Sequence, residues 1–246
     1  MTSPVFYAPK LAAECGSQLV LSGPEARHAH VMRLAPGQRI DLVDGRGRRA
    51  TCRIERWDGN DCVLTCQEVA DERTRRRLIL VQALAKGGRD EQAVESTTEI
   101  GAHHFVPWQS NRAVVKATGK SDKLVAKWES TAMAAMKQSR RAHLPTVAPV
   151  VTTKQLIPLV REASEKGATV LVLHESGKPE FGKLLGPDPS ELWVIVGPEG
   201  GIDDAELAAL EEAGARATRL GPTVLRAATA GFAALAAASA MLGDWN

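Results

Sequence analysis

At 246 residues, with 44% hydrophobic and 24% charged residues, the chain has the composition of a soluble globular protein. It is long enough for a small domain plus a larger one. It has no apolar run of the roughly 18 residues that a transmembrane helix needs, and its opening MTSPVFYAPK lacks the basic-then-apolar pattern of a signal peptide, so a cytoplasmic protein outside the membrane is expected. The net charge of +2 is unevenly spread: residues 1–77 carry +3 and residues 78–246 carry −1.

Aromatic residues make up only 4%, so the core must be built mainly from Ala, Leu and Val. The four cysteines, at 15, 52, 62 and 66, form no Cys-x-x-Cys pair, and no His follows at zinc spacing. No zinc site built on the cysteines is therefore expected. Cys52, Cys62 and Cys66 fall in strand-like segments, where a reduced Cys packs as a small hydrophobe.

In chain order, residues 23–34 (GPEARHAHVMRL) read as a short helix carrying Arg27, His28, His30 and Arg33. Residues 38–69 read as three strands, 38–43, 48–57 and 61–69, joined by the turn chemistry of Asp44-Gly45-Arg46-Gly47 and Asp58-Gly59. This suggests a small barrel or meander. The run Arg73-Thr74-Arg75-Arg76-Arg77 is either a solvated linker or a phosphate-facing strip. It sets the expected boundary between a β-rich domain over 1–72 and a larger domain over 73–246.

From residue 78 the pattern alternates. Strands are expected at 78–84, 103–108, 169–173, 192–196 and 217–220, and helices at 89–100, 120–139, 153–166, 203–213 and 227–242. Gly101, Gly167 and Gly214 stop three of the helices. The continuously apolar strands at 169–173 and 192–196 are of the buried parallel type. The fold class is therefore α/β, with helices on both faces of a sheet.

Three strands end in distinctive loops: Leu173-His174-Glu175, Gly197-Pro198-Glu199-Gly200-Gly201-Ile202, and Leu220-Gly221-Pro222-Thr223-Val224-Leu225-Arg226. Ligands of open α/β sheets bind beyond the carboxyl ends of strands, so the three could share one crevice. Glycines let the middle loop approach a ligand closely. Asp203 can cap the next helix, with Glu206 completing a capping box. Glu199, Asp203, Asp204 and Glu206 would repel a pyrophosphate, and a cationic ligand without phosphate suits the loop better. An ordinary structural turn before a capped helix is the competing reading. Arg226 stands at a helix N-terminus, where the dipole disfavours a cation, which invites a functional explanation.

The blocks VGPEGGIDDAEL (196–207) and RLGPTVLRAATA (219–230) closely resemble the signatures of the SPOUT-class 16S rRNA uridine-N3 methyltransferases, the ribosomal RNA small subunit methyltransferase E family. ALAKGGRDEQAVESTTEIGAHHFVP (83–107), KWESTAMAAMKQSRRAHLP (127–145) and RHAHVMRL (27–34) support the resemblance, which spans essentially the whole chain. It implies a SPOUT-type, trefoil-knotted α/β domain behind an N-terminal PUA-like β-barrel that binds RNA. It further implies a homodimer, S-adenosyl-L-methionine as cofactor, and no metal. The implied substrate is one uridine of 16S rRNA, methylated at N3 on the assembled small ribosomal subunit.

Carried over by position, the cofactor groove would comprise Leu173, His174 and Glu175; Gly197, Glu199, Gly201 and Ile202; and Leu220, Gly221, Val224, Leu225 and Arg226. One departure stands out: many members carry an acid where this chain has Ala228. In relatives that acid either positions a ligand or favours the helix start. N3 lies on the pairing edge, so the base must be unpaired or flipped out. Arg226 is the expected catalytic residue, stabilising the developing uracil anion; for the base a hydroxide-assisted or substrate-assisted route stays open, with His174 or Glu199 as weak candidates. RNA contacts are expected from Arg27, His28, His30, Arg33, Arg75, Arg76, Arg77, Arg112, Arg140 and Arg141. His103 and His104 read as structural. The alternatives are another SPOUT RNA methyltransferase, directed at ribose 2′-O or at tRNA, and a non-catalytic RNA-binding protein.

Overall fold

A computed structural model describes residues 3–178 and 181–245. The chain forms two compact units. One is Met1–Thr74 with Met136–Leu144; the other is Arg75–Ala135 with Pro145–Asn246.

The first unit is a five-stranded sheet in the order β1-β3-β4-β5-β2, with β1 Val5–Tyr7, β2 Gln18–Leu21, β3 Arg39–Val43, β4 Arg48–Asp58 and β5 Asp61–Asp71, and helix α1 Gly23–Val31 between β2 and β3. The three hairpin strands lie where the turn residues place them. β1 and β2 are too short to show a period, and only pairing with β3 and β5 defines them. Cys52, Cys62 and Cys66 pack with Phe6, Ile40, Ile54 and Leu64. They are free thiols, and burial pushes Cys52 up to about 12. Residues 136–144, the end of the long helix Ser121–Gln138 and the chain just after it, belong to this unit. Arg140 takes φ +59° and reverses the chain, after which Leu144 N–H donates to Gly45 O at 2.9 Å and the Ala142 carbonyl accepts from Gly47 N–H at 3.1 Å.

The second unit is built on β6 Arg77–Ala83, β7 His104–Gln109, β8 Thr146–Val147, β9 Val151–Thr152, β10 Thr169–Lys178, β11 Glu191–Val196 and β12 Arg216–Thr218. They form a parallel sheet in the order β12-β10-β11-β6-β7-β8, with β9 also on β7. The helices are α2 Arg89–Glu99, α3 Ser121–Gln138, α4 Thr153–Glu165, α5 Phe181–Leu184, α6 Asp204–Glu212 and α7 Ala227–Met241. β6 is buried on both faces, as its unbroken apolar run requires. Leu78 and Leu80 face α2, α3 and α7, while Ile79, Val81 and Ala83 face α4 and α6. The small residues of α7 serve this core: a Cβ on Gly231 would stand 2.7 Å from Leu80 Cδ1. Ala228 is likewise buried.

Among the described residues no helix is long and apolar enough to cross a membrane. His103 accepts from Leu78 N–H at 3.3 Å and His104 bonds Thr146 Oγ1 at 2.7 Å, so both are structural.

Candidate cofactor cleft and its surroundings

Register brings three strand ends level. Leu173 of β10 pairs with Val196 of β11 on one side and with Thr218 of β12 on the other. The chain beyond each end therefore opens onto the same side, as expected for a parallel sheet. The segment expected as a loop at 173–175 lies instead inside β10, in a bulge: Leu173 and Lys178 both register with Thr218. Gly177 lets that bulge close on β12, because a Cβ there would meet Thr218 N at 2.5 Å.

The three segments enclose a cleft of about 730 Å³, within the usual range for a small-molecule site. All twelve residues named for the groove line it: Leu173, His174 and Glu175 from the bulge, Gly197, Glu199, Gly201 and Ile202 from the glycine loop, and Leu220, Gly221, Val224, Leu225 and Arg226 from the last loop. Gly197 must lack a side chain, since a Cβ would stand 2.6 Å from Ile202 Cγ1. Arg226 is exposed and serves as the N-cap of α7 without a side-chain capping bond. Ala228, one turn-step further on, does not line the cleft.

The electrostatics differ from the sequence expectation. Asp203, Asp204 and Glu206 are absent from the cleft lining. Asp203 caps α6, accepting from Glu206 N–H at 2.8 Å. Glu206 does not complete the capping box; it is buried and accepts from Asn111 N–H at 2.8 Å and from the Thr153 hydroxyl. Only Glu199 brings negative charge to the glycine loop, and Arg89 neutralises it with a 2.7 Å ion pair. Burial alone would raise the Glu199 carboxyl. Its own backbone N–H, Arg89 and the Lys86 N–H outweigh that and hold it below its ordinary value. An acidic surface around the glycines therefore does not explain the choice of ligand.

Arg89 also lines the cleft and was not expected there. Its signal was the one that flagged Arg226: a cation in the first turn of a helix, α2, against the dipole. His174 Nδ1 accepts from Ser176 N–H at 3.3 Å and pairs with the Ser176 hydroxyl at 2.7 Å. A backbone N–H can only donate, so Nδ1 is the acceptor and the neutral ring carries its proton on Nε2.

The expected RNA residues fall into three groups. Arg27, His28, His30 and Arg33 are exposed on or just after α1, with His28 edge-on to Phe6 and His30 edge-on to Trp57. Arg75 and Arg77 are exposed, Arg112 stands at the cleft, and Arg140 is exposed. Arg141 is half-buried, and desolvation pulls its guanidinium down to about 10. Arg76 departs from expectation. Its side chain is 1% exposed, and it donates to the Pro189 carbonyl at 2.7 Å, to Asp188 at 2.6 Å and to Asp244. A guanidinium engaged through all three nitrogens and buried inside the domain is not presented to a phosphate, so Arg76 is a structural clamp.

Fold and cleft together define a parallel α/β domain that receives a small ligand beyond its strand ends, in a chain that also carries a small β-rich unit. Residues 72–239 match the model of the RNA methyltransferase domain, and residues 21–65 match that of the RNA methyltransferase PUA domain. Over 249 aligned residues the chain is 40% identical to ribosomal RNA small subunit methyltransferase E of Mycobacterium bovis, covering 100% of this chain and 95% of that protein. The Bacillus subtilis enzyme of that name is 31% identical, over 89% of this chain and 88% of its own length. The Neisseria gonorrhoeae enzyme, whose crystal structure was solved bound to S-adenosyl methionine, matches with a TM-score of 0.86 at 28% identity, with both chains fully covered. The chain belongs to the ribosomal RNA small subunit methyltransferase E family of RNA methyltransferases. The expected arrangement, an α/β methyltransferase domain with an N-terminal PUA-like domain, is the one found.

Proposed function

We propose that this protein uses S-adenosyl-L-methionine to methylate N3 of one uridine in 16S rRNA on the assembled small ribosomal subunit, in the cytoplasm, as a homodimer. The observation that carries this reading is the convergence of the three loops on one cleft. The residues there suit the cofactor. Leu173, Ile202, Leu220, Val224 and Leu225 offer apolar contact, and the backbone of 197–201 offers polar partners beside them. With Glu199 paired to Arg89, no unneutralised acid cluster crowds the loop. When bound, the cofactor supplies an electrophilic methyl group carried on a sulfonium.

The chain itself must orient uracil N3 and hold the negative charge that grows on the uracil oxygens as N3 loses its proton. Arg226 is the catalytic residue in this reading: it is at the cleft, exposed, and its side chain makes no capping bond to α7. His174 is a poor base because its acceptor nitrogen is already engaged. Glu199 is a poor base because Arg89 and Lys86 stabilise its ionised, low-affinity form. Solvent hydroxide is left to take the proton. Arg27, His28, His30, Arg33, Arg75, Arg77, Arg112, Arg140 and Arg141 are the proposed RNA contacts. The dimer reading is supported by exposed Phe232 and Met241 on α7 and Val224 and Leu225 just before it, apolar groups that an interface would cover.

The test is incubation with labelled cofactor and unmodified small subunits, followed by mass-spectrometric mapping of the methylated nucleotide. Label at uridine N3 of 16S rRNA is expected. Methyl transfer to ribose, or to free tRNA but not to subunits, overturns the substrate assignment. Light scattering reports the dimer, and Phe232→Asp is expected to shift it toward monomer.

A further inference from the structure

The turn Ser110–Ala113 follows β7 and is anchored at both ends: Ser110 and Ala113 are buried, and Ala113 N–H donates to the Ser110 carbonyl at 3.2 Å. Asn111 and Arg112 form its exposed tip. Nothing in the turn's own sequence requires it to lie against the glycine loop, yet three bonds bring it there. Asn111 Nδ2 donates to Asp203 Oδ2 at 2.8 Å, and Asn111 N–H donates to the buried Glu206 Oε1 at 2.8 Å. Arg112 Nη1 donates to the Gly200 carbonyl at 3.3 Å. The approach is close enough that a Cβ on Gly200 would meet Arg112 Cβ and O, each at 3.3 Å.

Glu206 is itself held in place. Its Oε1 also takes the Thr153 hydroxyl, which in turn accepts from Trp108 Nε1 at 3.1 Å. Burying a carboxylate among neutral donors costs free energy, and Glu206 Oε2 has no hydrogen-bond partner among the described residues. Kept there against that cost, the Glu206 carboxyl gives the Asn111 backbone N–H a fixed acceptor.

We propose that Asn111 and Glu206 form a positioning clamp that fixes Arg112 at the mouth of the cleft, so that its guanidinium meets the RNA backbone beside the target base. This rests on the reading of Arg112 as an RNA contact. The clamp acts through Arg112 and not through the cofactor, because the glycine loop keeps its own anchor: Asp203 Oδ1 accepts from Glu206 N–H whether or not Asn111 is present.

The experiment measures KM for small subunits, kcat, and cofactor affinity by calorimetry, for Asn111→Ala, Arg112→Ala and the double variant. Asn111→Ala keeps the main-chain bond to Glu206 but removes the Nδ2 bond to the Asp203 carboxylate, and is expected to raise KM about 5-fold, the size of one charge-assisted bond, with kcat and cofactor affinity within about 2-fold of the parent. In the Arg112→Ala background, Asn111→Ala should add nothing. Glu206→Ala is expected to raise KM like Asn111→Ala, and Glu206→Gln, which keeps the acceptor oxygen, should restore it. If Arg112→Ala leaves KM unchanged, the RNA reading of Arg112 fails. If Arg112→Ala raises KM but Asn111→Ala does not, or if Asn111→Ala weakens cofactor binding as much as it raises KM, the clamp is overturned.

Discussion

Arg89 opens helix α2 and donates to Glu199 in the glycine loop at 2.7 Å, an ion pair between residues 110 positions apart. It ties the helix after β6 to the loop after β11 and keeps Glu199 ionised in the cleft. Because the Glu199 carboxyl is held below its ordinary value of 4.5, the pair is fully present above that value and is lost as pH falls through the lowered one. Removing Arg89 takes away one of the groups that lower it. The Glu199 titration in Arg89→Ala, followed by NMR of a selectively labelled side chain, is therefore expected to move upward. Cofactor affinity should begin to change at correspondingly higher pH. An unchanged midpoint would show that the backbone N–H groups alone stabilise the carboxylate.

The glycines of the cleft separate packing from ligand contact. Gly197→Ala places a Cβ 2.6 Å from Ile202 Cγ1, so it should destabilise the protein by about 1–3 kcal/mol and weaken cofactor binding. Gly221→Ala meets nothing within 4 Å. Its melting temperature should stay at the parent value while its Kd for the cofactor rises, because Gly221 lines the cleft and an added methyl takes up open space there. Calorimetric unfolding and titration of the two variants check this contrast.

Much of this site was legible in the sequence because it is local. A glycine loop between an apolar strand and a capped helix declares itself, and the parallel sheet places all such loops on one side. Arg226 was visible as a cation against a helix dipole. Non-local partners were not visible. Nothing around residue 199 announces that Arg89 will neutralise it, so the acids at 199, 203, 204 and 206 read as one negative patch. The structure turns three of them away from the cleft: Asp203 caps α6, Glu206 is buried against Asn111 and Thr153, and Asp204 is exposed outside the lining. The two-residue spacing of Arg75 and Arg77 likewise gave no sign that Arg76, between them, would point inward. β1 and β2 carried no periodic signal, since strands of three and four residues are defined by their partners.

The arginines at 75–77 should separate by burial. Arg76→Ala removes a guanidinium whose side chain is 1% exposed and leaves Asp244, 17% exposed, without its partner. Asp188, at 62% exposure, regains water. The expected loss is about 2–3 kcal/mol, below the full cost of breaking a buried pair because one carboxylate rehydrates. Denaturant unfolding measures it. Arg75→Ala and Arg77→Ala, both at exposed ion pairs, should each lie within about 1 kcal/mol of the parent. Their effect is expected in RNA binding instead, as a shallower dependence of affinity on salt. A reversed pattern, with Arg76→Ala stable and deficient in RNA binding, would return Arg76 to the RNA surface.

Arg226 offers the most direct test of the proposed chemistry. It is the N-cap of α7, but it makes no side-chain capping bond, so replacing it takes no capping bond from the helix. Its own carbonyl accepts from Thr229 N–H and Ala230 N–H, each at 2.9 Å, and the main chain retains both bonds in Arg226→Ala. Removing a cation from the positive end of a helix is mildly favourable, so the melting temperature should hold or rise slightly. If the guanidinium stabilises charge only as N3 loses its proton, the variant should bind S-adenosyl-L-methionine with near-normal affinity and turn over about 100- to 1000-fold more slowly. Raising the pH should recover part of the lost rate, because more uracil is then ionised without help from the protein. Arg226→Lys keeps the charge but loses the planar fork, and an intermediate rate is expected. Near-normal turnover in Arg226→Ala with the cofactor still bound would remove Arg226 from the reaction and leave it a cleft-lining residue alone.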